Sequence, residues 1–282
     1  MTEIKPKIIV IFPVYNGGRT LLEALTCIAN QTFSDFKAVI VENHSTDDSL
    51  AIAQEFASKD KRFSVVQNEQ HLEALETFTR AIHTYQNEAD YLVLRAHDDF
   101  SALNFLEKNV EVLDSNPTKD LSVCDVNIWI DGVLDHKFQR EPKFFTFQKL
   151  LKENKAPRRL AFTSTWFYGV YRCGPGTEIL LRRMQLLDAP WCMASVVVAE
   201  FVFKESIVYA ADTYIDKMGI SGPNQYTNIG LLERFKRRRA YFTAIWELRH
   251  ILGLLTLRQK LKIWEIAWRD AKKKTGYAIF GL

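Results

Sequence analysis

The sequence predicts an α/β protein: a mixed, mainly parallel sheet flanked by helices, with a C-terminal helical extension. Three observations predict it. Short β-branched apolar runs alternate with amphipathic helical stretches through the first 115 residues. An alternating stretch at 121–130 ends in Asp131-Gly132, a hairpin signal that adds an antiparallel strand. From about residue 228 onward only helical periodicity remains.

Residues 7–12 (KIIVIF) carry a continuous β-branched run of the kind found in a strand buried on both faces. Val14-Tyr15-Asn16-Gly17-Gly18 breaks it before a helix carrying Leu21, Leu22, Leu25 and Ile28. The unit repeats as a strand over 37–42, a polar turn over 43–47, and a helix carrying Leu50, Ala53 and Phe56, capped by Ser45 or Thr46 with Asp47 and Asp48 in its first turn. A third strand spans 63–67, a helix runs over about 72–85, and a fourth strand over 91–94 leads into His97-Asp98-Asp99. Parallel βαβ units follow. Beyond them the spacing predicts a helix over 103–113, another over 145–153, a strand over 166–172, a basic helix over 178–187 and a helix over 195–204. The tail places Phe242, Ile245, Trp246, Leu248, Ile251 and Leu252 on one helix, and Leu261, Ile263, Trp264 and Trp268 on another. The expected units are a domain over 1–222, with a nucleotide-binding half (1–115) and an acceptor-side half (116–222), and a basic helical extension over 223–282.

With 282 residues, 47% of them hydrophobic, the chain can bury a sizeable core. Cys27, Cys124, Cys173 and Cys192 are far apart and form no CxxC pair, which argues against a zinc knuckle or disulfide scaffold. The polar N-terminus and the short first apolar run do not make a signal peptide, and no stretch reaches the roughly 18 apolar residues of a spanning helix. A cytoplasmic location is the expectation. The net charge of +3 hides an asymmetry, because residues 226–282 carry thirteen Lys and Arg against four Asp and Glu.

Three polar sets follow apolar strands: Pro13-Val14-Tyr15-Asn16, Glu42-Asn43-His44-Ser45-Thr46-Asp47 and His97-Asp98-Asp99. Open α/β sheets bind ligands at these carboxyl ends. Adjacent carboxylates there repel unless a cation neutralises them, and Mg²⁺ or Mn²⁺ characteristically takes one or two carboxylates plus substrate phosphate oxygens. Asp98-Asp99 therefore reads as a metal and diphosphate site, against the alternative of a cap and first-turn acid for the following helix. His97 beside the pair is a candidate phosphate donor, whereas the other histidines show no metal-ligand spacing. Trp166-Phe167-Tyr168 reads as core packing or as sugar-stacking aromatics.

The strings FPVYNGG (12–18), QTF (31–33), IVENHSTDDS (40–49), NEQHLEALETFTRA (68–81) and YLVLRAHDDF (91–100) together resemble an inverting family-2 glycosyltransferase of GT-A fold, in its Ala-His-Asp-Asp subgroup. The resemblance implies that Pro13, Tyr15, Asn16, Glu42, His97 and Asp98 hold a nucleotide-sugar donor, of UDP type, and that Asp98 and Asp99 hold Mn²⁺ or Mg²⁺. The chain departs from the family pattern in having Glu42-Asn43 for Asp-Asp or Asp-Asn, Ala96 for the first acid of the metal motif, and Glu73 for a frequent glycine.

An inverting transfer needs a carboxylate to accept the acceptor hydroxyl's proton. Family members place it at the start of the helix covering 193–204, where this chain has Ala194. Asp188, ahead of that helix, is the candidate base; Glu200, deeper in it, reads as a solvated residue. The expected function is transfer of a sugar to a glycan or lipid-linked saccharide in surface polysaccharide synthesis, with a weakly active or inactive nucleotide- or glycan-binding relative as the alternative. A nucleotidyltransferase lacks its glycine-rich basic phosphate loop here. The basic run Arg234-Phe235-Lys236-Arg237-Arg238-Arg239 with Tyr241, Phe242 and Trp246 reads as a solvated face or as contact with an anionic membrane surface, on the membrane's inner face. Nucleic acid is not the expected partner, since these basic residues lie outside the strand-end cleft.

Overall fold

The computed structural model describes residues 5–138, 146–160, 162–186, 190–219, 221 and 230–276. Strand β1 (Ile8–Val14) runs parallel to β2 (Phe36–Glu42) and to β4 (Tyr91–Leu94), and β2 runs parallel to β3 (Phe63–Gln67). Helices α1 (Leu21–Ala29), α2 (Ser49–Lys59) and α3 (Ala74–Tyr85) connect them. The remaining strands are β5 (Phe100–Ser101), β6 (Leu121–Ile130), β7 (Val133–Phe138), β8 (Val170–Arg172) and β9 (Ile207–Gly219). They complete a mixed sheet in the order β3-β2-β1-β4-β8-β6-β9-β5, with β7 paired to β6.

The apolar run of β1 is divided by the pleat. Ile9 and Ile11 enter one core cluster while Ile8, Val10 and Phe12 enter another, as period-2 alternation requires of a strand buried on both faces. The second cluster is closed by α1, α2 and α4 (Phe105–Asp114) through Leu21, Leu25, Ala53, Phe105 and Leu106. The first is closed by α3 and by α5 (Phe147–Lys152), α6 (Pro175–Leu186) and α7 (Pro190–Lys204). Helices α8 (Leu231–Glu247) and α9 (Leu257–Gly276) join that same cluster: Tyr241, Ile245, Ile263 and Ile266 are buried in it beside Val197 and Phe201 of α7. Among the described residues no helix is long and apolar enough to cross a membrane.

The hairpin expected at Asp131-Gly132 forms, with φ of 50° and 78° at the two turn residues, the double left-handed conformation that matches strand twist. A Cβ added at Gly132 would meet nothing within 4 Å, so the cost of Gly132→Ala is conformational alone. It is expected to lower stability by about 1 kcal/mol, read as a shift in urea midpoint at unchanged slope.

Three segments differ from the sequence reading. Residues 166–172, expected as one strand, split into a 3-10 turn (Ser164–Tyr168) and the short β8. The side chain of Thr163 accepts the Thr165 N–H at 3.2 Å and the Trp166 indole donates to the Cys124 carbonyl at 2.9 Å, which pins the turn against β6. Strand β9 was not anticipated, because Asp212 sits at φ 60° beside the register shift between Val123 and Asp125, and this irregularity breaks the alternation. Glu200, read as solvated, is 1% exposed and paired with Arg182 and Arg183 of α6. It locks two helices together and is not a surface group.

Candidate active site

A cleft of about 360 Å³ opens at the carboxyl ends of β1 and β4. Pro13 and Tyr15 from β1 and its following loop form one wall, Ala96 and His97 after β4 form another, and Tyr168 from the 3-10 turn faces them. Asn43 and the segment His71, Leu72 and Glu73 ahead of α3 close the side. The Tyr15 and His71 rings lie 4.3 Å apart at 49°, and His71 Nδ1 is 3.1 Å from the Asn43 carbonyl oxygen. Asn43 anchors this wall: its Oδ1 accepts the Leu72 N–H at 2.9 Å and its Nδ2 donates to the Leu72 carbonyl at 2.8 Å. Gly17 lies under His97, where a Cβ would come within 2.9 Å of the imidazole Cγ, so a side chain there would displace the ring. The Thr20 hydroxyl sits 3.2 Å from His97 Nδ1 and holds it from below.

Of the residues expected to hold the nucleotide, Pro13, Tyr15 and His97 line the cleft. Asn16 and Glu42 are engaged elsewhere. Asn16 clamps the loop after β2, its Oδ1 accepting the Thr46 N–H at 2.8 Å while its own N–H donates to Ser45 Oγ at 3.0 Å. Glu42 is 0% exposed; its carboxylate accepts the Ser45 N–H at 2.6 Å, the His44 N–H at 3.2 Å and Gln67 Nε2 at 2.9 Å. The extra methylene relative to aspartate lets Glu42 reach its own loop, and the neighbouring Asn43 presents itself to the cleft instead.

The two aspartates have different environments. Asp98 is half-buried next to the cleft-lining His97. Asp99 is 1% exposed and accepts from Lys217 Nζ at 2.9 and 3.0 Å and from the Met218 N–H at 3.2 Å, both delivered by β9. Burial pushes the Asp99 carboxyl up, opposed by the Lys217 charge; burial also works against the Lys217 ammonium, but Asp99, Tyr168 and Asp98 together outweigh it and hold the ammonium above its ordinary range. The Lys217 ammonium also stands 5.8 Å over the Tyr168 ring. Behind the pair, the guanidinium of Arg95 is 1% exposed and donates to the Asp99 carbonyl at 3.3 Å, its Nε and Nη1 having no hydrogen-bond partner among the described residues. The site thus sets one accessible carboxylate against a framework of two cations.

Asp188 lies outside the described residues. Ala194, where a base was expected, is half-buried on α7 and packs against the core. Among the described residues no three His, Cys, Asp or Glu side chains converge as a metal cage. Lys217 carries no signal in the sequence, because the strand that delivers it breaks its alternation at Asp212; His71 lies inside the 68–81 string, but its role as a wall depends on the fold of the 68–73 loop.

A family model described as Glycosyl transferase family 2 matches residues 9–173, more than half of the chain. The putative glycosyltransferase EpsE of Bacillus subtilis (strain 168) is 29% identical over 112 residues, 39% of this chain and 40% of that protein. The putative teichuronic acid biosynthesis glycosyltransferase TuaG of the same organism is 27% identical over 153 residues, 54% of this chain and 60% of its own length. The matches therefore span less than two thirds of these relatives. Among solved structures, S. aureus TarS 1-349 in complex with UDP-GlcNAc aligns over 97% of this chain and 74% of that chain with a TM-score of 0.63 at 15% identity. The mannosyltransferase PcManGT from Pyrobaculum calidifontis, in complex with GDP-Man and Mn²⁺, aligns over 99% and 77% with a TM-score of 0.53 at 16% identity.

Proposed function

From the premise that the chain belongs to glycosyl transferase family 2 and has its GT-A fold, we propose that it transfers a sugar from a nucleoside-diphosphate donor to a saccharide acceptor, with inversion. The observation that carries this reading is the cleft at the carboxyl ends of β1 and β4, lined by an aromatic pair, Tyr15 and His71, and by His97, which Asp98 follows in the chain. The donor's base and ribose lie along Pro13, Tyr15 and Asn43, and its diphosphate reaches toward His97 and Asp98. A UDP-type donor is supported by the UDP-GlcNAc bound in TarS, and surface polysaccharide as the acceptor class by the naming of TuaG.

The donor set fits a divalent ion. Mg²⁺ and Mn²⁺ typically keep few protein carboxylates and share the substrate's phosphates, and Asp98 is a carboxylate free of the Asp99–Lys217 pair. Asp98 would hold such an ion, which would supply charge neutralisation for the departing nucleoside diphosphate. The chain's own part is to place the acceptor oxygen in line with the anomeric carbon. As the acceptor oxygen bonds to that carbon, the carbon–oxygen bond to the diphosphate breaks with its electron pair, and the hydroxyl proton passes to a carboxylate base, which we assign to Asp188. His97, oriented by Thr20 and Gly17, donates to a phosphate oxygen, and Lys217 holds Asp99 so that the turn carrying Asp98 keeps its shape.

The deciding experiment is a panel of nucleotide sugars with Mn²⁺ or Mg²⁺, read by release of free nucleoside diphosphate with and without saccharide acceptors. Turnover of one donor, lost with Asp188→Asn, is expected. Binding of UDP without turnover of any donor would instead favour a nucleotide-binding relative that has lost transfer, the reading that Ala194 motivates.

The outer face of α8 and α9 we assign to an anionic bilayer surface. Leu257, Leu261, Trp264 and Trp268 recur at helical spacing and are 74%, 60%, 46% and 43% exposed. Exposed Arg258, Lys260, Arg269 and Lys272 flank this stripe, the pattern of a helix that lies in a lipid interface. Leu257→Ser with Leu261→Ser is expected to reduce sedimentation with vesicles containing anionic lipid severalfold. Unchanged sedimentation would remove the assignment.

A further inference from the structure

A second cavity, of about 440 Å³, shares the 3-10 turn with the strand-end cleft: the turn gives Tyr168 to the cleft and Ser164 to this cavity. Its buried part is made by Tyr241 of α8 and Asp270 of α9, which are 1% and 4% exposed. The Asp270 carboxylate accepts the Leu160 N–H at 2.9 Å. Phe138 and Phe162 supply half-buried aromatic walls. At the mouth stand Arg159, Lys273 and Lys274, with His136 from within β7.

These groups do not suit a simple ion. A bare anion site gains nothing from a buried carboxylate, and a cation site would not be ringed by three basic side chains. The combination suits a ligand that is acidic at one end and bears hydroxyls elsewhere. Its acid group pairs with the guanidinium and ammonium groups, its hydroxyls donate to Asp270 and exchange hydrogen bonds with Thr163 and Ser164, and its ring faces stack on the aromatics. The volume lies within the usual range for small-molecule pockets, roughly 300–1,000 Å³.

We propose that this cavity binds an acidic saccharide, a sugar unit carrying a carboxylate or a phosphate, and that it is where the acceptor docks. The acceptor role rests on the glycosyl transfer proposed above; the acidic-saccharide site does not. Seated there, the acid-bearing unit anchors the acceptor beside the cleft: Ser164 and Tyr168 lie about 8 Å apart along the shared turn, four rises of a 3-10 helix, a spacing on the scale of one or two sugar units.

The test is ligand-observed saturation-transfer NMR on the full chain with excess UDP present, titrating glucuronate, glucose 6-phosphate, glucose and inorganic phosphate separately. Wild type and Arg159→Gln with Lys273→Gln are compared, since neither side chain is buried and UDP binding reports that the variant is folded. Both acidic sugars are expected to bind at least about tenfold more tightly than glucose or phosphate, and the double variant to weaken them about tenfold without altering UDP binding. Glucose binding as well as glucuronate, phosphate binding as well as the sugar phosphate, or an unaffected double variant would each overturn the proposal. Failure of wild type to bind UDP would instead count against the donor reading and leave this one to be decided by the sugars.

Discussion

Asp98→Asn is expected to lower nucleotide-sugar turnover by at least about a hundredfold while leaving the melting temperature near that of wild type. Removing a single group that stabilises developing charge in a shielded site commonly costs a factor of a hundred to a thousand. Asp98 is the accessible member of its pair, and the isosteric amide preserves its shape while withdrawing the negative charge that a divalent ion needs. Asp99→Asn is expected to behave differently. Its carboxylate holds Lys217 Nζ and the Met218 N–H, so the substitution leaves an ammonium without its counter-charge and loosens β9 against the turn. That variant shows first in stability, and in turnover only through the displaced loop. Steady-state turnover and thermal melts on both variants separate the roles; full activity of Asp98→Asn at saturating metal would overturn the proposed role of Asp98 at the donor's diphosphate.

The contrast between the two aspartates marks how far sequence carries. The parallel half of the sheet was readable because strands buried on both faces are written as continuous apolar runs, and three of them end in polar sets that converge at one edge. Pro13, Tyr15 and His97 line the cleft where those ends meet, and the family resemblance is what pointed to Pro13 and Tyr15. Whether Glu42 and Asp99 point outward or inward was not readable, since a one-residue step along a strand end reverses the side chain's direction, and the partners that decide it lie 25 and 118 positions away, at Gln67 and Lys217. Strand β9 was illegible for a related reason: the positive φ at Asp212 resets the alternation midway, and the strand's polar positions are satisfied by β6 side chains, as where Asp216 accepts from Asn127 and the Trp129 indole, each at 2.8 Å. Tail helices that read as an electrostatic appendage contribute Tyr241, Ile245 and Ile263 to the main core, because their basic faces are only one side of amphipathic elements.

Asp270 offers the clearest stability experiment. Burial pushes its carboxyl up to about 7, against the Leu160 N–H and the nearby charges of Arg159, Lys274 and Lys273, which favour ionisation. The folded state therefore retains a proton that the unfolded chain, with an ordinary value of 3.8, releases at lower pH. Below pH 4 the carboxyl is neutral in both states and has no differential effect; as pH rises from 4 to 7 the folded state holds more protons, and stability falls across that window. A displacement of about three units corresponds to roughly 4 kcal/mol lost by pH 8. Asp270→Asn removes this penalty and keeps an oxygen for the Leu160 N–H, so the variant is expected to be more stable than wild type at pH 8 by up to about 4 kcal/mol and no more stable at pH 4, measured by urea unfolding at both values. Equal stability at pH 8 would show that the folded protein already accommodates the charge. A side chain whose removal strengthens the fold at neutral pH needs another reason to be there, and a buried carboxylate beneath three cations has one in the hydroxyls of a bound sugar. The same variant is then expected to weaken glucuronate binding, coupling a gain in stability to a loss of recognition at one residue.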